Sequence, residues 1–396
     1  MKIAEFYRGI EIHREDKIIY ARFLTPHRVL STCRSSAGGM HDDLMYIYNH
    51  QSCEPAGDHM SARMHKVVES PDEYKKDVSD GYLLPYEKCA TLGTAANMNN
   101  AAFCHEKFSD LEVVAVCTGG VERNAGRAGD PASYYEPQKS SANATSNQVE
   151  QVEIPKQGTI NAMIIINREL TPGAMVTAVI TATEAKSAVM QELEVPSRYS
   201  EGLATGTGTD QIAVAAKLGG DPISYAGKHS KLGELIGRTV HDAVKKTLAL
   251  QNGLTPAGQC SSFAHLERLG INKRELCEGI GEFLSKDNAD LFKQNFSNIV
   301  NDPLTVAAVA ALVHLRDKFV WGILPESCIP EVMGRYGAQI SAAVSGKSNR
   351  THDYMQILST LDLSLEKHAF MKLVCRAFAL GFSEKWSDTE SEACKE

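Results

Sequence analysis

Apolar and polar positions follow two rhythms along this chain, and the change of rhythm marks its organisation. Lys17–Phe23 (KIIYARF) alternates with period two, the pattern of a half-buried strand. Leu111–Thr118 (LEVVAVCT) and Thr159–Asn167 (TINAMIIIN) are short, β-branched apolar runs and read as buried strands. Pro172–Leu193 predicts a long helix, with Thr171 as its cap and Pro172 at the first helical position. Met175, Val176, Val179, Val189, Met190 and Leu193 supply its apolar stripe, while Thr177, Thr181 and Glu184 form a polar stripe on a different face. Gln211–Ala216 predicts another strand. Gly57–Glu69 and Lys231–Leu250 predict helices, and the polar stretch Asp130–Gln157 a surface excursion.

Beyond about residue 255 helical periodicity takes over. Arg274–Leu284, Leu304–Phe319, Ile329–Val344 and Leu365–Phe382 all carry it. The expected fold class is an α/β core, a mixed sheet with packed helices, followed by an all-α C-terminal module. The expected boundaries are 1–254 for the core, 255–385 for the helical module and 386–396 for a disordered acidic tail.

Composition narrows the function classes. Hydrophobic residues make up 43% and charged residues 23%, ordinary globular usage. A net charge of −8 argues against a nucleic-acid partner, which calls for a basic face. The most apolar run, Val306–Leu315, falls short of the ~20 residues of a membrane span. The N-terminus has no apolar run of signal-peptide length. A cytoplasmic protein with no membrane partner is expected, and a homo-oligomer stays open. None of the ten cysteines shows Cys-x-x-Cys spacing, so buried or idle thiols are expected and no metal-ligating set.

Candidate chemistry lies in polar segments rich in glycine. Leu203–Asp210 (LATGTGTD) looks at first like a phosphate loop. Its Gly206 and Gly208 begin G-x-G-x-x-G, but the sixth position is Gln211 and the loop opens a strand rather than a helix. Gly227-Lys228 is followed by His229 where a P-loop has Ser or Thr, and Pro222 stands where it has Gly. The alternative is a tight turn with threonines in the adjoining strand. Asn124–Asp130 (NAGRAGD) reads equally as a ligand-approaching loop or as a turn joined by Arg127 and Asp130. In Gly227–Arg238, His229 can move protons near neutral pH at a helix entrance. Lys231, Glu234 and Arg238 read as solvated i,i+3 and i,i+4 pairs, and Glu184 as an outward-facing helical carboxylate. His41, His50, His59 and His65 do not fit zinc spacing; His50, in YNHQ, is the one retained as a candidate.

Taken together, RVLSTC, YNHQ, LGTAANMNNAA, TGGVERNAGRAGDPASYYE, the long stretch from GTINAMIIIN to DQIAVAA, and YAGKHSKLGELIGRTVHDAVK resemble the adenosylcobinamide amidohydrolase (CbiZ) family of corrinoid salvage. They run in order from about residue 28 to 250, and CRSSAGG at Cys33–Gly39 departs from the family pattern. The resemblance implies hydrolysis of the amide that carries the aminopropanol arm of adenosylcobinamide. The products would be adenosylcobyric acid and 1-amino-2-propanol, and pseudocobalamin-type corrinoids, which some members of the family accept, would be further substrates. It implies no cofactor, since cobalt enters as part of the corrinoid substrate.

Such a reaction needs an activated water, an oxyanion site and a proton for the leaving amine. His229 is expected to handle protons, with Asp130 or Glu184 as base or orienting partner. Asn161, Lys228 or the amides around Gly206 and Gly208 would face the oxyanion. His50, Asn97, Asn100, Asn124, Arg127, Thr205, Gly206, Thr207, Gly208 and Asp210 would contact the corrinoid. A nucleophilic Thr207 or Thr159 is an alternative mechanism. A non-catalytic corrinoid carrier is the rival class, although its D-x-H-x-x-G motif does not occur. A nucleotide-dependent transferase is disfavoured by the failed phosphate motifs.

Overall fold

The computed structural model describes residues 1–52, 66, 70–132 and 158–386. The helix expected over Gly57–Glu69, most of the excursion expected over Asp130–Gln157 and the acidic tail lie outside these residues. The chain divides into two compact units, Met1–Leu254 and Thr255–Glu396.

In chain order the first unit contains β1 (Lys2–Phe6), β2 (Ile10–Glu15), β3 (Ile18–Phe23), β4 (His27–Ser31), β5 (Gly39–His41), β6 (Tyr46–Gln51), α1 (Pro71–Gly81), β7 (Cys89–Thr94), β8 (Ala102–Phe108), β9 (Leu111–Thr118), β10 (Ala125–Gly126), β11 (Asn161–Ile166), α2 (Pro172–Glu192), β12 (Gly206–Thr207), β13 (Gln211–Lys217) and α3 (Lys231–Asn252). One sheet has the order β1-β2-β3-β6-β7 and the other β5-β4-β13-β11-β9-β8; β10 and β12 form a separate two-stranded ribbon. β6 pairs with β7, and β11 with β13, in parallel. The other pairings are antiparallel.

The unbroken apolar runs are explained by burial on both faces. Val113, Ala115, Ile164, Ile166 and Val214 pack against Met175, Ala178, Ile236 and Val240 of α2 and α3. Their neighbours Val114, Val116, Met163, Ile165 and Ala213 pack instead against Ile10, Ile12, Ile19 and Ile47 of the first sheet. The opposite face of that sheet meets α1 through Ile18, Tyr48, Cys89, Tyr74 and Val78. The layers therefore run helix, sheet, sheet, helices.

The α2 cap forms as expected: the Thr171 hydroxyl accepts from Ala174 N at 3.2 Å. Two positions of α2 differ from expectation. Val176, assigned to the apolar stripe, is 53% exposed. Thr181, assigned to the polar one, is buried, and its hydroxyl donates to the Ala226 carbonyl at 2.8 Å. The apolar stripe runs through Ala174, Met175, Ala178, Ala182, Val189 and Met190, where alanines let the sheet approach closely. The eight described cysteines are free thiols.

The second unit is helical: α4 (Pro256–Gln259), α5 (Ser262–Leu266), α6 (Lys273–Gly281), α7 (Lys286–Val300), α8 (Pro303–Val320), α9 (Ile329–Ser345), α10 (Thr351–Leu358) and α11 (Lys367–Glu384). Its core includes Leu276, Phe292, Leu312, Phe370 and Phe382. Arg268 and Asp317 pair inside it at 2.5 Å. α4, α5, α7 and α10 go beyond the four helices that the periodicity predicts: α7 (KDNADLFKQNFSNIV) buries little more than Phe292, Ile299 and Val300, and α4, α5 and α10 are only four, five and eight residues long. Among the described residues no single helix is long and apolar enough to cross a membrane.

Candidate active site

Two loops meet in the first unit and bring most of the expected polar residues together. The turn Arg127–Asp130 is closed by Asp130 N donating to Arg127 O at 3.0 Å and by Arg127 N donating to the Asp130 carboxylate at 2.8 Å. Gly129, at φ +98°, takes the left-handed position of that turn, where a side chain would be strained. The loop is sewn to its neighbour by the β10–β12 ribbon, Gly126 opposite Gly206 and Ala125 opposite Thr207. Ala128 N donates to Thr205 Oγ1 at 2.9 Å, and Gly208 N to Asn124 O at 3.2 Å.

Asp210 is the centre of the second loop. Its Oδ1 accepts from Ile160 N at 2.8 Å and from the Thr207 hydroxyl at 2.5 Å. Its Oδ2 accepts from Thr207 N at 3.0 Å and forms an ion pair with Lys186 of α2. Both side chains of the pair are about one-sixth exposed, 17% and 16%. A Cβ on Gly206 would overlap the Asp210 carboxylate and the Lys186 ammonium. That glycine makes room for the protein's own ion pair, which explains a G-x-G pattern that fails every phosphate-loop test.

Around this pair lies a shell of short polar contacts. Thr159 and Thr209 hydroxyls are 2.7 Å apart. Asn124 Nδ2 donates to Gly158 O at 3.0 Å, and Tyr199 OH donates to Asn124 Oδ1 at 2.9 Å. Ser187 Oγ donates to Thr205 O at 3.0 Å. The Asp130 carboxylate accepts from Ser197 Oγ at 2.6 Å. Partial burial pushes that carboxyl up, but hydrogen bonds from Ser197, Ser200 and the Arg127 amide outweigh it and hold the group below its ordinary range.

Several expected residues fall elsewhere or are already engaged. Asn161 is fully buried; its amide donates to Asn49 Oδ1 at 3.0 Å and to Gly93 O at 2.8 Å, and its oxygen accepts from Gln211 N at 3.1 Å. It clamps the two sheets together, so it has no hydrogen left for an oxyanion. The Gly208 amide, expected to face the oxyanion, is likewise used on Asn124 O. Asn97 and Asn100 gather around Gln251 of α3 rather than around the ribbon, at 3.1 and 2.9 Å. His50 alternates away from Asn49 to the outer face of the first sheet, where Nδ1 lies 2.5 Å from Tyr74 OH. It does not join the loop cluster.

The segment ahead of α3 forms a second feature. Ser230 caps the helix, its hydroxyl accepting from Gly233 N at 3.1 Å. His229 is carried outward and exposed. The turn is fixed to α2 at two points one helical turn apart, Thr181 to Ala226 O and Glu184 to Lys228 at 2.7 Å. Glu184 faces outward as expected, and so do the Lys231–Glu234 and Glu234–Arg238 pairs. Among the described residues neither Asp130 nor Glu184 is hydrogen-bonded to His229.

Lys186 is the residue the sequence reading missed. Its signal was present: it sits at i+4 from Ala182 and i, i+3 and i+4 to Val189 and Met190, a cation on an otherwise buried stripe. Serine and tyrosine partners at 187, 197 and 199 carried no such signal. No three described His, Cys, Asp or Glu side chains converge as a metal site.

The first unit is thus a sheet sandwich whose loops hold a largely buried ion pair, a set of hydroxyls and an exposed histidine. Residues 3–256 match the adenosylcobinamide amidohydrolase (CbiZ) family, and the chain belongs to that family. It is also similar to an uncharacterized protein of Methanocaldococcus jannaschii, 35% identical over 242 residues, which covers 60% of this chain and 88% of that protein.

Proposed function

We propose that the first unit hydrolyses the amide joining the aminopropanol arm to the corrin ring of adenosylcobinamide. Water adds to the amide carbon, the C–N bond breaks, and adenosylcobyric acid and 1-amino-2-propanol leave as carboxylate and ammonium. The family match over residues 3–256 carries this reading. The loop cluster and the His229 turn are the parts of that unit whose chemistry suits it.

His229 takes the proton-transfer role because it is exposed on a turn that α2 and the α3 cap hold rigidly. An imidazole there can take a proton from water and return it to the leaving amine. Lys228 beside it is exposed, and surface pairs such as Lys228–Glu184 are weak, so its charge stays available to an anionic group. Arg127, Thr205, Thr207 and the Tyr199 ring border the same loops and would meet the corrinoid's amide arms.

One specific contact favours a second mechanism, a covalent one. The Thr207 hydroxyl already donates to a carboxylate, as an activated nucleophile would. Against it, the Asp210 carboxylate accepts from two amides, a hydroxyl and an ammonium, which lowers its basicity.

The test is incubation with adenosylcobinamide in the absence of nucleotide. Release of aminopropanol and adenosylcobyric acid is expected. Binding without products would favour a corrinoid carrier, and a requirement for ATP a transferase. Intact-mass measurement of quenched reactions separates the two hydrolytic routes: an acyl adduct on the protein would favour Thr207, and its absence the direct attack of water. His229→Ala is expected to lower kcat by ~10²–10⁴-fold, the usual share of acid–base help.

A further inference from the structure

We infer that Lys186 is a further catalytic residue of this site, the cation that meets the tetrahedral oxyanion, and that Asp210 is its positioning residue. The inference rests on the amide hydrolysis proposed above.

Two observations lead to it. First, an ammonium has three hydrogens, and among the described residues Asp210 is the partner of Lys186. The lysine side chain is 17% exposed, so it lies at the edge of the core rather than sealed inside it. Second, the loop is built around the pair. Amides of Ile160 and Thr207 and the Thr207 hydroxyl all grip the carboxylate, and Gly206 lacks the side chain that would displace either charge. A half-buried ion pair adds little stability, because desolvation offsets most of the attraction. Such a tight cradle fixes where the ammonium sits.

Fixed charge is what an oxyanion site needs. A cation held in place before reaction has no reorganisation to undergo when the carbonyl oxygen becomes negative. The neutral amide of the ground state gains less from it than the oxyanion does, so the effect falls on kcat rather than KM. After C–N cleavage the same ammonium faces a carboxylate, which gives the product a measurable hold on the site.

Lys186→Met is expected to lower kcat by ~10²–10³-fold, the range for losing one oxyanion donor, with KM little changed. It is also expected to weaken inhibition by adenosylcobyric acid. The double variant Lys186→Met/Asp210→Asn leaves no unpaired charge and should stay inactive. Lys186→Ala should regain turnover with added ethylammonium, saturably, which a purely structural lysine would not do. Wild-type turnover together with a Lys186→Met kcat within threefold of it would overturn the lysine's role alone, as would absence of rescue in a folded Lys186→Ala. A wild type that binds adenosylcobinamide without releasing aminopropanol would overturn the proposed reaction and this role with it.

Discussion

His27 shows how a single residue's surroundings fix its chemistry. Its ring is fully buried, with Nδ1 2.7 Å from the Thr25 carbonyl and Nε2 2.8 Å from Tyr7 OH. A carbonyl can only accept, so Nδ1 carries the hydrogen and Nε2 accepts from the tyrosine. Burial first, and the Lys217 charge, push its pKa down to about 4, while the Thr25 carbonyl pulls it up. Between the ordinary 6.5 and about 4 the unfolded chain binds a proton that the folded one does not. Stability is therefore complete above pH 6.5 and is lost as pH falls through 4, by about 3 kcal/mol in all. Urea unfolding of the protein across this window should show the slope, and His27→Gln should flatten it. Nothing in the sequence marks His27 as different from His41. The contrast with Lys186 is instructive, because there the local pattern did carry the information.

Helix α3 shows, at the scale of one element, why glycine content alone is a poor guide. Ser230 opens it and Gly253, at φ +64°, closes it, both as the capping pattern dictates. Inside lie Gly233 and Gly237. A Cβ on Gly237 would meet nothing within 4 Å, so Gly237→Ala should stabilise the protein by ~0.5–1 kcal/mol through helix propensity. A Cβ on Gly233 would overlap the Gly227 backbone in the turn that carries His229. Gly233→Ala should cost ~1–3 kcal/mol and displace that turn. Melting temperatures rank the two variants, and turnover should fall only for Gly233→Ala. Both glycines look alike in GKHSKLGELIGR; only the packing partner separates them.

On the scale of the whole molecule, the family match concerns the first unit. That unit has its own layered core, and the second has another. A chain ending at Leu254 is expected to fold and to retain turnover of adenosylcobinamide. Circular dichroism and the product assay together check this, and a folded but inactive fragment would assign a part of the chemistry to the helical unit.

Periodicity and turn residues, which are local properties, determined the α/β core, the two long helices with the Thr171 cap of α2, and the helical character after residue 255. Motif spacing by itself excluded a phosphate loop at LATGTGTD, because order along the chain decides whether helix amides can face a ligand. Tertiary structure decided what that loop does instead. The Gly206 gap is filled by Asp210 from the same loop and Lys186 from a helix earlier in the chain. Asn161 became a clamp between sheets because Asn49 and Gly93 happen to lie opposite it. Partners far apart in sequence leave no trace in spacing, and hydrogen bonds and ion pairs form between whatever the fold brings within 3 Å or so.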